Sequence, residues 1–490
     1  MSLVSTPSAR VSRRALMGAG LTGAAVASLP RTASRTAASH VPESRVASRS
    51  WQEGRGDPAN WRTWLLDSAD ELRPPAPDAP SQTEIDEVVE AQADPSDETA
   101  AAIKRWGSGP AVIPWSVLAR ELSAEFSISG MPQNRFMAIY HTALHDAVIA
   151  AWDAQVAHDR PSPGATSDEI TPSDGVNPER SSFPSEHAAV AGAAATVLAY
   201  LIPDATSGRF DALATEAAES RIAAGAAFRG DVEVGLALGQ AIGEKAVARA
   251  KDDGAGAEWD PSTMPTGPGF WQPTPPGFVE TPFAPLAGAQ QTWVMTSGDQ
   301  FRPAPPPDYG SEAWKSELET VQEIAANRSF EQERAAVWWG TNSPAGLSNG
   351  WTHELILRDG LDSPHAARIL ADVHVAIADS SIAVWDAKYT WWTARPITED
   401  PNLKTVLTNP PYPSYPSGYS GVMGAATTVI GYYFPETVDD MAARAWEAAA
   451  SRGWAGIHYV IDDDIGLLMG RQVGRLVCSL ARTDPVDGAA

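Results

Sequence analysis

Over most of the chain, apolar residues recur at helical spacing on an Ala-rich background, and runs alternating with period two are few. The pattern predicts helices and hardly any strand. Three stretches interrupt it. Residues 30–60 are polar and rich in Ser, Ala and Arg, and read as disordered. Residues 74–98 are rich in Pro, Asp and Glu and read as loop. Residues 254–310, which include Pro265–Gly277 and Pro303–Tyr309, hold many Pro, Gly and Trp with little periodicity. They read as a long structured linker between two helical halves.

The halves repeat each other. Arg135–Ala154 (RFMAIYHTALHDAVIAAWDA) aligns without gaps on Arg368–Ala387 (RILADVHVAIADSSIAVWDA) at an offset of 233, with ten of twenty positions identical. The identities include Arg135/Arg368, His141/His374, Asp146/Asp379 and Trp152/Trp385. Phe183–Pro203 aligns on Tyr415–Pro435 at an offset of 232. Ser220-Arg221 aligns on Ser451-Arg452 at 231, with Asp231/Asp462 and Gly235/Gly466 in the same block. Three blocks in one order at nearly constant offset mean a duplicated helical unit. The expected fold is all-α, two helix bundles related by a pseudo-twofold axis, the first over 100–253 and the second over 311–484.

Composition narrows the partners. The 490 residues carry 61 Asp and Glu against 36 Lys and Arg, a formal net charge of −25. That balance argues against nucleic acid and anionic membrane as partners, so any anion site must be built locally from placed Lys and Arg. Cys478 is the single cysteine, so neither an intramolecular disulfide nor a structural thiolate zinc site is available, and its apolar helical setting predicts an inert core residue. Residues 1–60 read as a targeting and disordered segment. Ser12-Arg13-Arg14 leads into the apolar run Ala15–Leu29 with an Ala25-Val26-Ala27 triplet, which resembles a twin-arginine export signal. The alternative is a disordered tail on a cytoplasmic enzyme. The run is too short to span a membrane.

The second half concentrates candidate chemistry. Lys388 and Arg395 stand in KYTWWTARP, followed by Pro416-Ser417-Gly418-Tyr419, then Ser451-Arg452, His458 and Asp462. Two Arg and a Lys offer fixed charge and forked donors suited to an XO4-type anion. Ser417 adds a hydroxyl. Gly418 allows close approach of a backbone N–H where a helix begins, and a helix start favours an anion. His458 follows Arg452 by nearly two helical turns and is placed to attack or coordinate the central atom. Asp462, four residues on, is either the carboxylate that orients the imidazole or a solvated helix charge. Singly these elements are weak; Pro-Ser-Gly alone is an ordinary helix cap. The ordered set K-x6-R-P, P-S-G, S-R-x5-H-x3-D is specific.

That set resembles the signature shared by vanadium-dependent haloperoxidases and type 2 phosphatidic-acid phosphatases, over roughly residues 110–480. The likeness is nearest to soluble bacterial haloperoxidases, among them streptomycete meroterpenoid (napyradiomycin-type) homologues. It implies that Lys388, Arg395, Ser417, the Gly418 N–H and Arg452 hold vanadate or phosphate. It implies that His458 bonds the metal if vanadate is bound, or accepts a phosphoryl group, with Asp462 behind it. The departure is Tyr419, where the family has its acid–base histidine. Tyrosine, with an ordinary pKa near 10, is a much poorer proton shuttle near neutral pH. In the first half His187 keeps a histidine at the matching position, but Ala227 stands for His458 and Gln155 for Lys388, while Arg160 and Arg221 survive. That half reads as a structural relic.

Three activities follow. One is a vanadate-dependent chloro- or bromoperoxidase using hydrogen peroxide and halide. Another is an acid phosphatase. The favoured reading is an isomerase repurposed for an α-hydroxyketone rearrangement, a 1,2-shift, on a prenylated naphthoquinone-type meroterpenoid. It requires no cofactor, holds phosphate or a long-lived phosphohistidine at His458, and uses Lys388 or Arg395 to support the carbonyl, with Tyr419 or an unassigned residue as base. Trp339, Trp391 and Trp392, with Trp338 and Tyr389, are expected near the substrate, although about half of such aromatics simply fill the core. A purely scaffolding role is disfavoured because buried Lys and Arg without an anion are costly. The partner is a small aromatic or prenylated molecule, with no nucleic acid and no membrane, and the chain is expected to form a homodimer.

Overall fold

The computed structural model describes residues 57–484 except 204 and 206. The twin-arginine-like segment lies outside the described residues. Of the stretch expected to be disordered, residues 57–60 are described, and Pro58–Asn60 form a 3-10 turn capped by Asp57. Among the described residues the secondary structure is helical, apart from one isolated bridge between Phe270 and Thr393. None of these helices is long and apolar enough to cross a membrane.

The first half contains α1 (Gln82–Ala93), α2 (Asp97–Gly107), α3 (Val112–Glu125), α4 (Met131–His158), α5 (Pro163–Thr166), α6 (Glu186–Leu201), α7 (Arg209–Ala223) and α8 (Arg229–Asp252). The second contains α9 (Glu312–Asn327), α10 (Phe330–Thr341), α11 (Pro344–Arg358), α12 (Ser363–Trp391), α13 (Pro396–Glu399), α14 (Gly418–Tyr433), α15 (Val438–Trp454) and α16 (Val460–Ala481). Each helix of the first half has its counterpart eight places on.

The duplication reaches further than the three sequence blocks. Buried Asp146 accepts the backbone N–H groups of Trp64, Leu65 and Leu66, and buried Asp379 those of Trp293, Val294 and Met295. Arg73 pairs with Asp153 as Arg302 pairs with Asp386. Residues 286–305 of the Pro-rich stretch are therefore the second copy of residues 57–76. Ahead of them, the Trp271 N–H donates to the Trp392 carbonyl (2.6 Å) and the Ala394 N–H to the Gly269 carbonyl (2.9 Å), so the linker is stitched to the chain just before Arg395.

One expectation is corrected. Within 74–98, read as loop, α1 forms. Ser81 and Glu84 make a reciprocal capping box at its start. Ile85, Val88 and Val89 make a narrow apolar stripe that packs against Ile222, Phe228 and Val232. The acidic composition belongs to its solvent face.

The long helices α4 and α12 pack together at the centre. There the His141 and His374 rings, equivalent by the repeat, stack at 4.3 Å. In each half, small residues let two helices approach closely. A Cβ at Gly466 of α16 would meet the Ser417 carbonyl at 2.5 Å, so glycine is what allows the first turns of α14 and α16 to touch. Those two turns carry the site.

Candidate active site in the second half

Lys388 lies in the last turn of α12. Trp392 follows with φ 51° and reverses the chain, its N–H returning to the Lys388 carbonyl. Arg395 then caps the short α13, with Pro396 in its first turn. The loop from Tyr412 to Ser417 runs back across both, and Ser417 caps α14. Ser451 and Arg452 end α15.

The spacing from Arg452 to His458 is not helical as expected. α15 stops at Trp454, Gly456 takes φ 75°, and His458 sits in the loop before α16. Glycine tolerates that conformation without strain.

His458 is buried. Its Nδ1 meets Asp462 Oδ2 at 2.9 Å and its Nε2 meets Arg395 Nη1 at 3.0 Å. Because a guanidinium only donates, Nε2 accepts and the proton is on Nδ1. Asp462 Oδ2 also takes the Ser414 hydroxyl (2.5 Å) and the Tyr459 N–H (3.1 Å), while its backbone carbonyl takes the Ser417 N–H. Asp462 is thus a buried orienting group and not a solvated charge. Lys388 Nζ donates to the Pro413 and Ser414 carbonyls (2.7 and 2.8 Å), and Arg395 to the Tyr412 and Ile457 carbonyls. Arg452 is held by the Ser451 hydroxyl. Ser420 links Ser417 to Asp463.

Burial dominates the electrostatics, and each group is pushed toward its neutral form. It holds the His458 imidazole well below its usual value, reinforced by Arg395, Lys388 and Arg452. Burial, with Arg395 close by, pulls the Lys388 ammonium down, and burial lowers Arg395 and Arg452. Asp462 is pushed up to about 6, and Asp463 well above the carboxylate range, by burial and then by Asp462. Three cations face two carboxylates that burial discourages from ionising, so the site is short of negative charge.

The residues fit a tetrahedral oxyanion. Arg395 Nη2 is buried without a hydrogen-bond partner among the described residues. A Cβ on Gly418 would stand 2.9 Å from the Trp385 ring, so only glycine leaves the helix start this open beside Lys388. The N–H groups of a helix's first turn have no partners within the helix and face such a ligand.

Tyr419 does not point its hydroxyl at this spot. The hydroxyl donates to the Asn342 carbonyl (3.0 Å), and the ring lies 4.4 Å from the Arg452 guanidinium and 6.3 Å from the Trp339 ring. Burial pushes its pKa above the ordinary value. Trp339 is buried on this side of the site, with exposed Trp338 against it. Trp392 lies on the other side, against Trp259 and Tyr389, and Trp391 packs with the α12 cluster. The expected aromatics therefore form two separate groups. Tyr412, outside the motif, has Lys388 and Arg395 over its ring (5.1 and 5.0 Å to the centroid).

The first half keeps the frame and supplies its own anions. Asp231 takes the Ser182 hydroxyl and the Phe228 N–H, as Asp462 takes Ser414 and Tyr459. Gln155, at the place of Lys388, donates to the carbonyl of Pro184, the counterpart of Pro416. Arg160 is not the counterpart of Arg395; Ser162, which precedes Pro163 as Arg395 precedes Pro396, holds that place. Arg160 instead pairs with Asp231 and with Glu84 of α1. Glu186 stands where Gly418 does and bonds Arg180 (2.5 Å). His187 has its Nε2 buried and unpartnered among the described residues, and burial holds its pKa down at about 3.

The PAP2 superfamily model matches residues 140–248 and 369–484, one match in each half. Among curated proteins, none matches the sequence. Among solved structures, a bacterial vanadium-dependent iodoperoxidase is 24% identical, with 78% of this chain and 96% of that one covered at a TM-score of 0.57. A holo-type bacterial vanadium-dependent chloroperoxidase is 16% identical, with 81% and 98% covered at 0.55. An apo-type one is 16% identical, with 72% and 94% covered at 0.53. The chain has the all-helical fold of these bacterial vanadium haloperoxidases.

Proposed function

We propose that the second-half site holds a tetrahedral oxyanion, phosphate or vanadate, against His458 Nε2, and that the chain uses this cationic cavity for a redox-neutral isomerisation. The observation that carries the second part is the commitment of Tyr419. Its hydroxyl is spent on the Asn342 carbonyl, and burial raises its pKa. A phenol held in this way passes few protons near neutral pH. A phosphorylated His458 belongs to the same reading: Nε2 takes the phosphoryl group of a phosphate monoester, whose alcohol leaves with a proton from solvent, and Tyr419, committed to Asn342, does not assist water in removing the group.

Bound, the oxyanion supplies negative charge to the three cations, or, as vanadate, a Lewis-acidic centre for peroxide. The chain's own residues do the rest. Asp462 fixes the tautomer of His458 and keeps the Nε2 lone pair facing Arg395. Lys388 and Arg395 are fixed donors that stabilise an oxygen on which negative charge develops. The substrate class comes from the resemblance: an α-hydroxyketone of the prenylated naphthoquinone type. In that rearrangement a group migrates with its bonding pair from the carbinol carbon to the carbonyl carbon. The hydroxyl gives up its proton as its carbon becomes the new carbonyl, and the old carbonyl oxygen takes a proton. No oxidant enters.

A second reading, a peroxide- and halide-using vanadate enzyme, is favoured by the complete set Lys388, Arg395, Ser417, Gly418, Arg452 and His458, and by what the similar solved structures are named for. The two separate on protein purified with and without orthovanadate, measured by intact mass, vanadium content and peroxide-dependent halide oxidation. The expected result is a phosphate-sized adduct on His458, no stoichiometric vanadium, no halide oxidation, and conversion of an α-hydroxyketone naphthoquinone without peroxide. Stoichiometric vanadium together with halide oxidation would replace this reading with the second.

A further inference from the structure

We infer that Tyr412 belongs to the anion site itself, its phenol O–H donating a hydrogen bond to the bound oxyanion. The inference deepens the proposed oxyanion reading and rests on it. Four observations lead there.

Position comes first. The Tyr412 ring lies close to two cations of the site, 5.1 Å from Lys388 Nζ and 5.0 Å from Arg395 Cζ, and against the Trp385 ring at 5.2 Å. Its backbone carbonyl takes Arg395 Nε at 3.0 Å, which ties ring and guanidinium into one unit.

The second is hydrogen bonding. The hydroxyls of neighbouring tyrosines are committed to backbone carbonyls: Tyr419 to Asn342, Tyr415 to Ala304 and Tyr389 to Phe283. Tyr459, the cap of α16, packs with Val321 and Leu403, and its hydroxyl is buried there without a hydrogen-bond partner among the described residues. The Tyr412 hydroxyl instead faces the Arg395 guanidinium, which can only donate. In that contact the hydroxyl oxygen accepts, which leaves its own O–H proton to donate elsewhere.

The third is charge. Burial raises the Tyr412 pKa, while the positive charges of Arg395 and Arg452 oppose that rise. The hydroxyl therefore sits where positive potential from both guanidiniums converges, which is where an anion oxygen is favoured. A phenol offers a donor to that oxygen.

The fourth comes from the duplication. At the 232 offset of this block, Arg180 is the counterpart of Tyr412. Its guanidinium stacks on Trp152, the counterpart of Trp385, at 4.2 Å. It donates to Glu186, the carboxylate at the start of α6. In the half that carries its own anion, the residue at this position binds that anion. Tyr412 keeps the position, the tryptophan and a donor.

The test is isothermal titration calorimetry of the full chain, freed of bound phosphate by dialysis and of any phosphoryl group on His458 by neutral hydroxylamine, as checked by intact mass, with inorganic phosphate and with orthovanadate, comparing wild type and Y412F. Phenylalanine keeps the ring beside the cations and removes only the hydroxyl. A charge-assisted hydrogen bond predicts roughly tenfold weaker binding of either anion in Y412F. Tyrosine difference absorbance supplies an independent readout: phosphate should perturb it in wild type, and the signal should vanish in Y412F. Wild-type binding with unchanged affinity in Y412F, or with no tyrosine signal, overturns the role of Tyr412 and leaves the site reading intact. Failure of wild type to bind either anion overturns the site reading, and this inference with it.

Discussion

Lowering the pH from 7 to 5 should cost this fold a large part of its stability, and the cause lies at the contact of the two halves. His141, His353 and His374 surround Ser116 and Asn349 there. His141 Nδ1 donates to the Met137 carbonyl, so its Nε2 accepts from the Ser116 hydroxyl (2.7 Å). His353 Nε2 donates to Ser116 Oγ (2.8 Å), and the Asn349 amide donates to Ser116 Oγ and to His374 Nε2 (3.0 Å each). Every ring is neutral in this chain, and a proton added to His374 Nε2 would face the Asn349 amide donor to donor. Burial depresses all three: His141 to about 4, His353 to about 3, and His374 well below the ordinary 6.5. For a histidine lowered in the folded state, stability is whole above the unfolded value and is lost as pH falls through 6.5 toward the folded value. At pH 5 the unfolded rings are charged and the folded ones are not. That gap of 1.5 units at 1.36 kcal/mol per unit gives about 2 kcal/mol per ring, about 6 kcal/mol for three. A domain is stable by only about 5–15 kcal/mol. Urea unfolding of wild type and H353Q at both pH values isolates one ring from every other titrating group. The substituted glutamine amide keeps a donor for Ser116, and the drop from pH 7 to pH 5 should be smaller in H353Q by about 2 kcal/mol. An equal drop in the two proteins would refute the argument.

Other expectations follow from single contacts. D379N should lower stability by about 2–4 kcal/mol in urea unfolding, because one of the oxygens taking the N–H groups of Trp293, Val294 and Met295 becomes an amide; D146N should cost the same within about 1 kcal/mol. G418A places a methyl 2.9 Å from the Trp385 ring and should weaken phosphate binding about tenfold by calorimetry, at about 1–3 kcal/mol of stability. Phosphate at a hundred times its dissociation constant should add about 2.7 kcal/mol to wild-type stability in urea unfolding and nothing to K388M, whose charge is gone. H458A should lose any phosphate-sized adduct while its far-ultraviolet circular dichroism stays unchanged.

The sequence made the duplication, the helical fold and the polar residues of the site readable because each has a periodic or chemical signature. Arg135/Arg368 through Trp152/Trp385 recur at fixed offset, and Lys, Arg, Ser and His in one order have few other reasons to occur together. What stayed hidden depends on long-range backbone contact. The first turn of each half is recognisable only once Asp146 and Asp379 are seen collecting three N–H groups apiece. Helix α1 was masked by its acidic face. His458 was placed on a helix because its distance from Arg452 suits one, although Gly456 between them was the signal of a break. Tyr412 carries no motif; the available clue was its alignment with Arg180 in the repeat.

The two halves answer one electrostatic problem in different ways. Each brings guanidiniums to the start of a helix whose first turn touches an aspartate on a neighbouring helix, Asp231 or Asp462. In the first half Glu84 pairs with Arg160 and Glu186 with Arg180, so two of its cations are neutralised by the chain, while Arg221 donates to the Ser220 hydroxyl and the Ile103 carbonyl. Trp314 stands in the second half at the capping position Glu84 holds in the first, three residues after its serine cap, and Gly418 stands at the place of Glu186. Both replacements remove a carboxylate, and the second opens the space where it lay. Lys388 and Arg395, which stand where the first half has Gln155 and Ser162, are buried there together with Arg452. Cations buried with so little negative charge of the chain around them are costly unless something outside the chain supplies it. The duplication thus contains its own control: the half that needs no anion has built one in, and the half that lacks one has kept the room and the donors to take it from solution.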